Sequence, residues 1–162
     1  MYQPSLFWRR SLKTVAAPLA RGWTVAKNTL ASSADGNAQI VILAYHRVVS
    51  RVVEAEQDSI YGLVISTESF ARHLEIVRAQ YEVVTMDEAV LAVRGERRLT
   101  RTAAVITFDD GYRDVYENAW PVLQRMGLPA VVYVPTAFIG TNQIFDHDRL
   151  YWLIWQARSN SI

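Results

Sequence analysis

Ala103-Ala-Val-Ile-Thr-Phe108 runs without a break into Asp109-Asp110-Gly111. The apolar run has strand length and no polar alternation, which is the pattern of a strand buried on both faces of a parallel sheet. Ile40-Val-Ile-Leu-Ala-Tyr45 is a second run of the same kind. Helix signals lie between them. Ser66 or Thr67 can cap a helix with Glu68 in its first turn, and Phe70, Leu74 and Val77 follow at helical spacing. Tyr81-Glu-Val-Val-Thr85 reads as a short strand. Thr85-Met-Asp-Glu88 is a capping-box pattern, and the helix it opens stops at Gly95. His46 to Ile65 shows no clear period and is expected to be a long loop.

After the central run, a helical stretch covers roughly Val115 to Met126. Pro121 is expected to start a new helix there after an irregular turn, and Gly127 to end it. Ala130-Val-Val-Tyr-Val134 reads as a strand closed by Pro135, Thr136 to Asp146 as a loop, and Asp148 to Ala157 as an aromatic-rich helix. Strands separated by helices imply an α/β fold with a parallel sheet. In such sheets function gathers at the carboxyl ends of the strands. That points to His46 after one strand and Asp109-Asp110 after another.

Adjacent carboxylates are electrostatically costly unless a cation compensates. Neighbouring side chains leaving a strand point in different directions, so one can bind a metal while the other faces a reacting group. Asp and Gly are also the usual turn formers, and the three residues alone fit a plain turn better than a site.

The chain has 162 residues, a net charge of +1 and no cysteine, so disulfides and cysteine ligands are excluded. The charge is uneven. Residues 1 to 39 hold five basic residues against Asp35, which leaves the remainder at −3. No basic patch with interleaved aromatics marks the body, which argues against a nucleic-acid partner. On a helical wheel of about 100° per residue, Trp8, Leu12, Val15, Leu19, Trp23, Ala26 and Leu30 form one stripe, with the basic residues opposite. Residues 1–39 are therefore expected to be a basic amphipathic arm and linker. The arm would be kinked at Pro18, and it would pack on the body, stay a loose arm, or lie peripherally on a membrane surface through residues 8–30. It is too short in apolar length to span a bilayer, and Pro18 and Arg21 interrupt it as an export signal. Location stays open between the cytoplasm and the cell envelope.

Thr107-Phe-Asp-Asp-Gly-Tyr112 resembles the first motif of the polysaccharide deacetylase family, the NodB homology domain of carbohydrate esterase family 4. Leu43-Ala-Tyr-His-Arg-Val48 resembles the tyrosine-histidine segment that opens many members. Ser66-Thr-Glu-Ser-Phe70, Tyr81-Glu-Val-Val-Thr85, Glu117-Asn-Ala-Trp-Pro-Val-Leu123 and Gly127-Leu-Pro-Ala-Val-Val-Tyr-Val134 follow in the family's order. Asp148-Arg-Leu-Tyr-Trp152 resembles an insertion found in some members. The resemblance implies an irregular (β/α) barrel and metal-dependent removal of acetyl groups from polymers such as N-acetylglucosamine chains. It implies Asp109 as catalytic general base, Asp110 as ligand to a divalent metal (usually zinc), and His46 and Tyr112 as residues lining the site. The implied partner is an acetylated polysaccharide or oligosaccharide.

The family completes its metal site with His-x-x-x-His after this motif. Here the histidines are His46, His73 and His147, and no two have that spacing. His73 is expected at the surface or boundary of a helix, and His147 in a solvated turn or cap. The family's arginine-proline motif, later strands and final histidine do not occur in these residues either. A complete eight-stranded barrel takes about 250 residues. The expectation is a partial barrel over residues 40–162, cut after roughly four strands, with an open apolar edge at Ala130 to Val134 and no activity of its own. The alternative is a non-catalytic carbohydrate-binding or assembly module, on which Tyr112, Tyr116, Trp120, Trp152 and Trp155 would stack on sugars or fill the core. Phosphoryl transfer is disfavoured because the acids are adjacent and no phosphate-binding glycine loop is present.

Overall fold

A computed structural model of the chain describes residues 39–55 and 59–159. The amphipathic stripe expected at residues 8–30 lies outside the described residues. The strands are β1 (Ile40–Tyr45), β2 (Arg47–Val49), β3 (Val64–Ser66), β4 (Glu82–Val83), β5 (Ala103–Phe108) and β6 (Val131–Val132). The helices are α1 (Thr67–Gln80), α2 (Met86–Val93), α3 (Trp120–Met126) and α4 (Asp146–Ser159).

β5 is the centre of the sheet, and every one of its residues is buried. β1 lies parallel to it along its whole length, from Ile40 beside Ala103 to Tyr45 beside Phe108. The other edge is shared. β4 pairs with Ala103 and Ala104, and β6 with Thr107 and Phe108. Period-two alternation then divides the core. Ala104, Ile106 and Phe108 pack with Val41, Leu43 and Tyr45 against Phe70, Leu74 and Val77 of α1 and Val122 and Leu123 of α3. Ala103 and Val105 face Val84, Ala89, Ala92 and Leu99 on the other side. Tyr45, Phe70 and Phe108 meet with ring centroids 5.1 to 5.7 Å apart. Among the described residues the sheet is open, and Val132, Tyr133 and Val134 are exposed along its β6 side.

The caps form as the sequence implies. Ser66 Oγ accepts from the Ser69 amide at 3.1 Å. Thr85 and Glu88 make both arms of the capping box. Gly127, at φ 65°, ends α3 in the left-handed conformation. Val115–Ala119 forms a π-turn before α3. Pro121 explains the wide turn: it has no amide hydrogen, and its ring would clash with a carbonyl one α-turn back.

Three expectations are corrected. Residues 46–65 are not simply a loop, because β2 and β3 pair in parallel as a separate two-stranded sheet. Three-residue strands are too short to show a period, and this pair is held by non-local contacts, with Val48 fully buried. The strand expected over 81–85 is two residues long, because Thr85 serves α2 as its cap instead. The strand expected over 130–134 is likewise reduced to Val131–Val132. No helix among the described residues is long and apolar enough to cross a membrane.

Candidate functional site

The register of β1 on β5 decides which residues meet. Tyr45 lies beside Phe108, so the next residues, His46 and Asp109, leave the sheet side by side. The Asp109 amide continues the ladder by donating to the Tyr45 carbonyl at 2.8 Å. His46 Nε2 then lies 3.9 Å from Asp109 Oδ2, an ion pair when the imidazole is protonated. The Asp109 side chain is 42% exposed. The structure thus brings together two residues separated by about half of the body.

Asp110 has φ 70° and Gly111 φ 62°, so two successive left-handed residues turn the chain sharply after the strand. Asp tolerates that conformation better than most residues. Gly111 has a second reason to be glycine: a Cβ there would sit 2.6 Å from Val134 Cγ1.

Tyr112 follows this turn and is held from several sides. Its hydroxyl donates to Asp148 Oδ2 at 2.6 Å and lies 3.0 Å from His147 Nε2. Phe145 meets its ring edge to face at 5.3 Å, and the Arg47 guanidinium lies 4.9 Å from its centroid. Burial raises the Tyr112 hydroxyl well above the usual tyrosine range, and the hydrogen bond to Asp148 and that residue's charge add to the rise. The hydroxyl therefore stays a donor. Arg47 Nε also pairs with Asp114 Oδ2 at 2.8 Å, while Asp114 Oδ1 accepts from the Val48 amide at 3.0 Å. Asn118 Nδ2 donates to the Val48 carbonyl at 2.8 Å. These bonds tie β2 to the segment that follows the turn.

His73 sits at the boundary, as expected, but it is engaged: its Nδ1 is hydrogen-bonded to the Tyr45 hydroxyl. Burial lowers the His73 pKa and pushes that of Tyr45 well up. Of the two readings of Asp146-His147-Asp148, a solvated turn or a helix cap, the structure favours the helix start. These residues form the first turn of α4, and Asp148 is only 7% exposed. Of the aromatics, Tyr116, Trp120 and Trp152 are 74%, 50% and 46% exposed, so they are surface rings and not core. Sequence reasoning missed Asp148, Asp114 and Arg47 because their partners lie 36 to 67 positions away.

A zinc site takes three or more protein ligands. Among the described residues no group of three histidine, cysteine, aspartate or glutamate side chains is placed to hold a metal ion. Asp110 stands without the second and third ligands, so the donors present do not fit the ion that the sequence resemblance implies.

Residues 96–155 match the family model described as polysaccharide deacetylase. The Bacillus subtilis protein YxkH, which carries a polysaccharide deacetylase name, is 30% identical over 114 residues, 70% of this chain and 38% of that protein. The poly-beta-1,6-N-acetyl-D-glucosamine N-deacetylase of Escherichia coli K12 is 34% identical over 83 residues, 47% of this chain and 12% of its own length. The solved structure of IcaB from Ammonifex degensii superposes with a TM-score of 0.57 at 31% identity, covering 69% of this chain and 43% of that one. The chain therefore spans well under two thirds of each of these relatives.

Proposed function

We propose, from the match of residues 96–155 to the polysaccharide deacetylase family model, that the Asp109–Asp110 turn is the reacting centre of a site that cleaves the acetyl C–N bond of N-acetylglucosamine polymers. The observation that carries this reading is the meeting of His46 and Asp109 at the carboxyl end of β1 and β5, with the carboxylate left accessible. The Escherichia coli relative supplies the substrate class.

In this reading, water attacks the acetyl carbon and Asp109 takes its proton. The C–N bond then breaks, the proton passes to the departing nitrogen, and acetate and an amine remain. His46 orients the carboxylate, and Tyr112 walls the site. The mismatch with zinc sets a limit. These residues supply the basic half of the site and no metal centre, so the chain on its own is expected to bind substrate without turning it over.

The test is a titration of the isotope-labelled full chain with an N-acetylglucosamine pentamer, followed by nuclear magnetic resonance. Saturable shifts at His46 and at 109–112 are expected, with no acetate released above a protein-free blank even when zinc is added. Absence of binding at the turn would sink the reading. Acetate release that disappears in Asp109→Asn would show that the missing histidines were overvalued. A second reading, a non-catalytic carbohydrate-binding module, is favoured by the exposed rings of Tyr116, Trp120 and Trp152. It predicts shifts at those rings and none at the turn.

A further inference from the structure

We propose that Asp148 is a positioning residue for the Asp109–Asp110 turn, acting through Tyr112, so that the first turn of α4 is a fixed wall of the site. The proposal rests on reading that turn as the reacting centre.

Asp148 is an unusual residue for the place it occupies. Its neighbours on α4, Arg149 and Leu150, are exposed, yet Asp148 is 7% exposed and its Oδ1 has no hydrogen-bond partner. His147 Nε2 lies 3.6 Å from that same oxygen, an ion pair when the imidazole is protonated. Burying a carboxylate this sparsely paired is unfavourable. A helix N-terminus favours an acid in its first turn, but an exposed one serves equally well, and Asp146 is there already. What burial adds is the bond from the Tyr112 hydroxyl at 2.6 Å.

That bond ends a short chain of constraints on the site. Tyr112 is two residues from Asp110. Its ring is fixed by Arg47 on its face and by Phe145 at its edge, and Phe145 in turn stacks on His147 at 5.3 Å. Arg47 directly follows His46 and is itself anchored on Asp114. One ring therefore links α4 to Arg47, the residue after His46, and to the turn that follows Asp109. Losing the Asp148 bond weakens the hold on the ring's hydroxyl end, where His147 Nε2 remains at 3.0 Å, and the slack falls on the left-handed pair Asp110–Gly111.

The experiment is backbone ¹⁵N relaxation on the full chain and on three variants, Asp148→Ala, Tyr112→Phe and Asp148→Asn. Order parameters at Asp110 and Gly111 are expected to fall from about 0.85 to below about 0.6 in the first two. They are expected to stay near the wild-type value in Asp148→Asn, which keeps an acceptor oxygen. The amides of residues 103–107 should not change in any variant. Asp148→Ala combined with Tyr112→Phe should loosen the turn no further than either alone. If Asp148→Ala does not fold, Tyr112→Phe carries the same expectation. An unchanged turn in Tyr112→Phe overturns the proposal. So does loosening of residues 103–107 together with the turn, which is the behaviour of a residue that serves stability alone. These measurements need no substrate, so their failure is distinct from failure of the pentamer titration.

Discussion

At the amino end of β5, Glu82 accepts hydrogen bonds from the Thr100 amide at 3.1 Å, the Thr100 hydroxyl at 2.8 Å and Arg97 at 3.2 Å, and Arg97 also pairs with Glu88. At the carboxyl end, Asp109 has His46 at 3.9 Å. Both are acids at the end of one sheet, each beside a basic residue. The first is saturated with donors and serves to close the fold. The second is left accessible at the cost of a looser contact, as the proposed proton transfer requires.

The largest effect is expected where the carboxyl end depends on shape. Gly111→Ala forces a side chain into a left-handed position and against Val134, and should cost about 2–4 kcal/mol in urea unfolding. A loss under about 0.5 kcal/mol would mean that the turn has room to relax, and the contrast between the two ends would then be one of charge alone.

Glu82→Gln comes next, at about 1 kcal/mol at neutral pH, since the network is partly exposed. Burial pushes the Glu82 carboxyl up, but the Thr100 and Arg97 interactions together bring it below the usual glutamate value. The sign follows from linkage. A carboxyl held low in the folded state contributes stability that is present above its unfolded pKa and is lost as the pH falls through the folded one. The difference between wild type and Glu82→Gln should therefore shrink as the pH drops below about 4.5. A difference independent of pH across that range would show that the network holds no charge-dependent stability.

The smallest effect is expected for Asp109→Asn, within about 0.5 kcal/mol, read as the thermal midpoint. A loss comparable to that at Glu82 would place Asp109 among the structural acids and remove the contrast.

The sequence makes parts of this arrangement legible and hides others for physical reasons. The β1 and β5 runs are visible because both faces of each strand are buried, and the caps at Ser66, Thr85 and Gly127 are visible because capping is local chemistry. Asp109-Asp110-Gly111 can be read as a turn or a site from residue types alone. That His46 joins it follows from the parallel register, which is a property of two strands together. The β2–β3 pair and the Tyr112–Asp148 bond leave no local signal, since each is made between residues far apart in the chain. The ambiguity of Asp146-His147-Asp148 has the same origin: a helix cap and a buried anchor use the same residue types.

The close seating of Val134 on Gly111 also bears on how the molecule folds. β5 can pair with β1 once residue 108 is available, but the turn beyond it is completed by Val134, and its tyrosine by Asp148, 36 positions later. Contacts between distant residues carry loop-closure entropy and lengthen folding. During synthesis, the carboxylates leave the ribosome well before the residues that set their final geometry. The core can therefore gather around β5 while the turn is still unfinished, and the turn takes its final geometry only after residues 134 and 148 have been made.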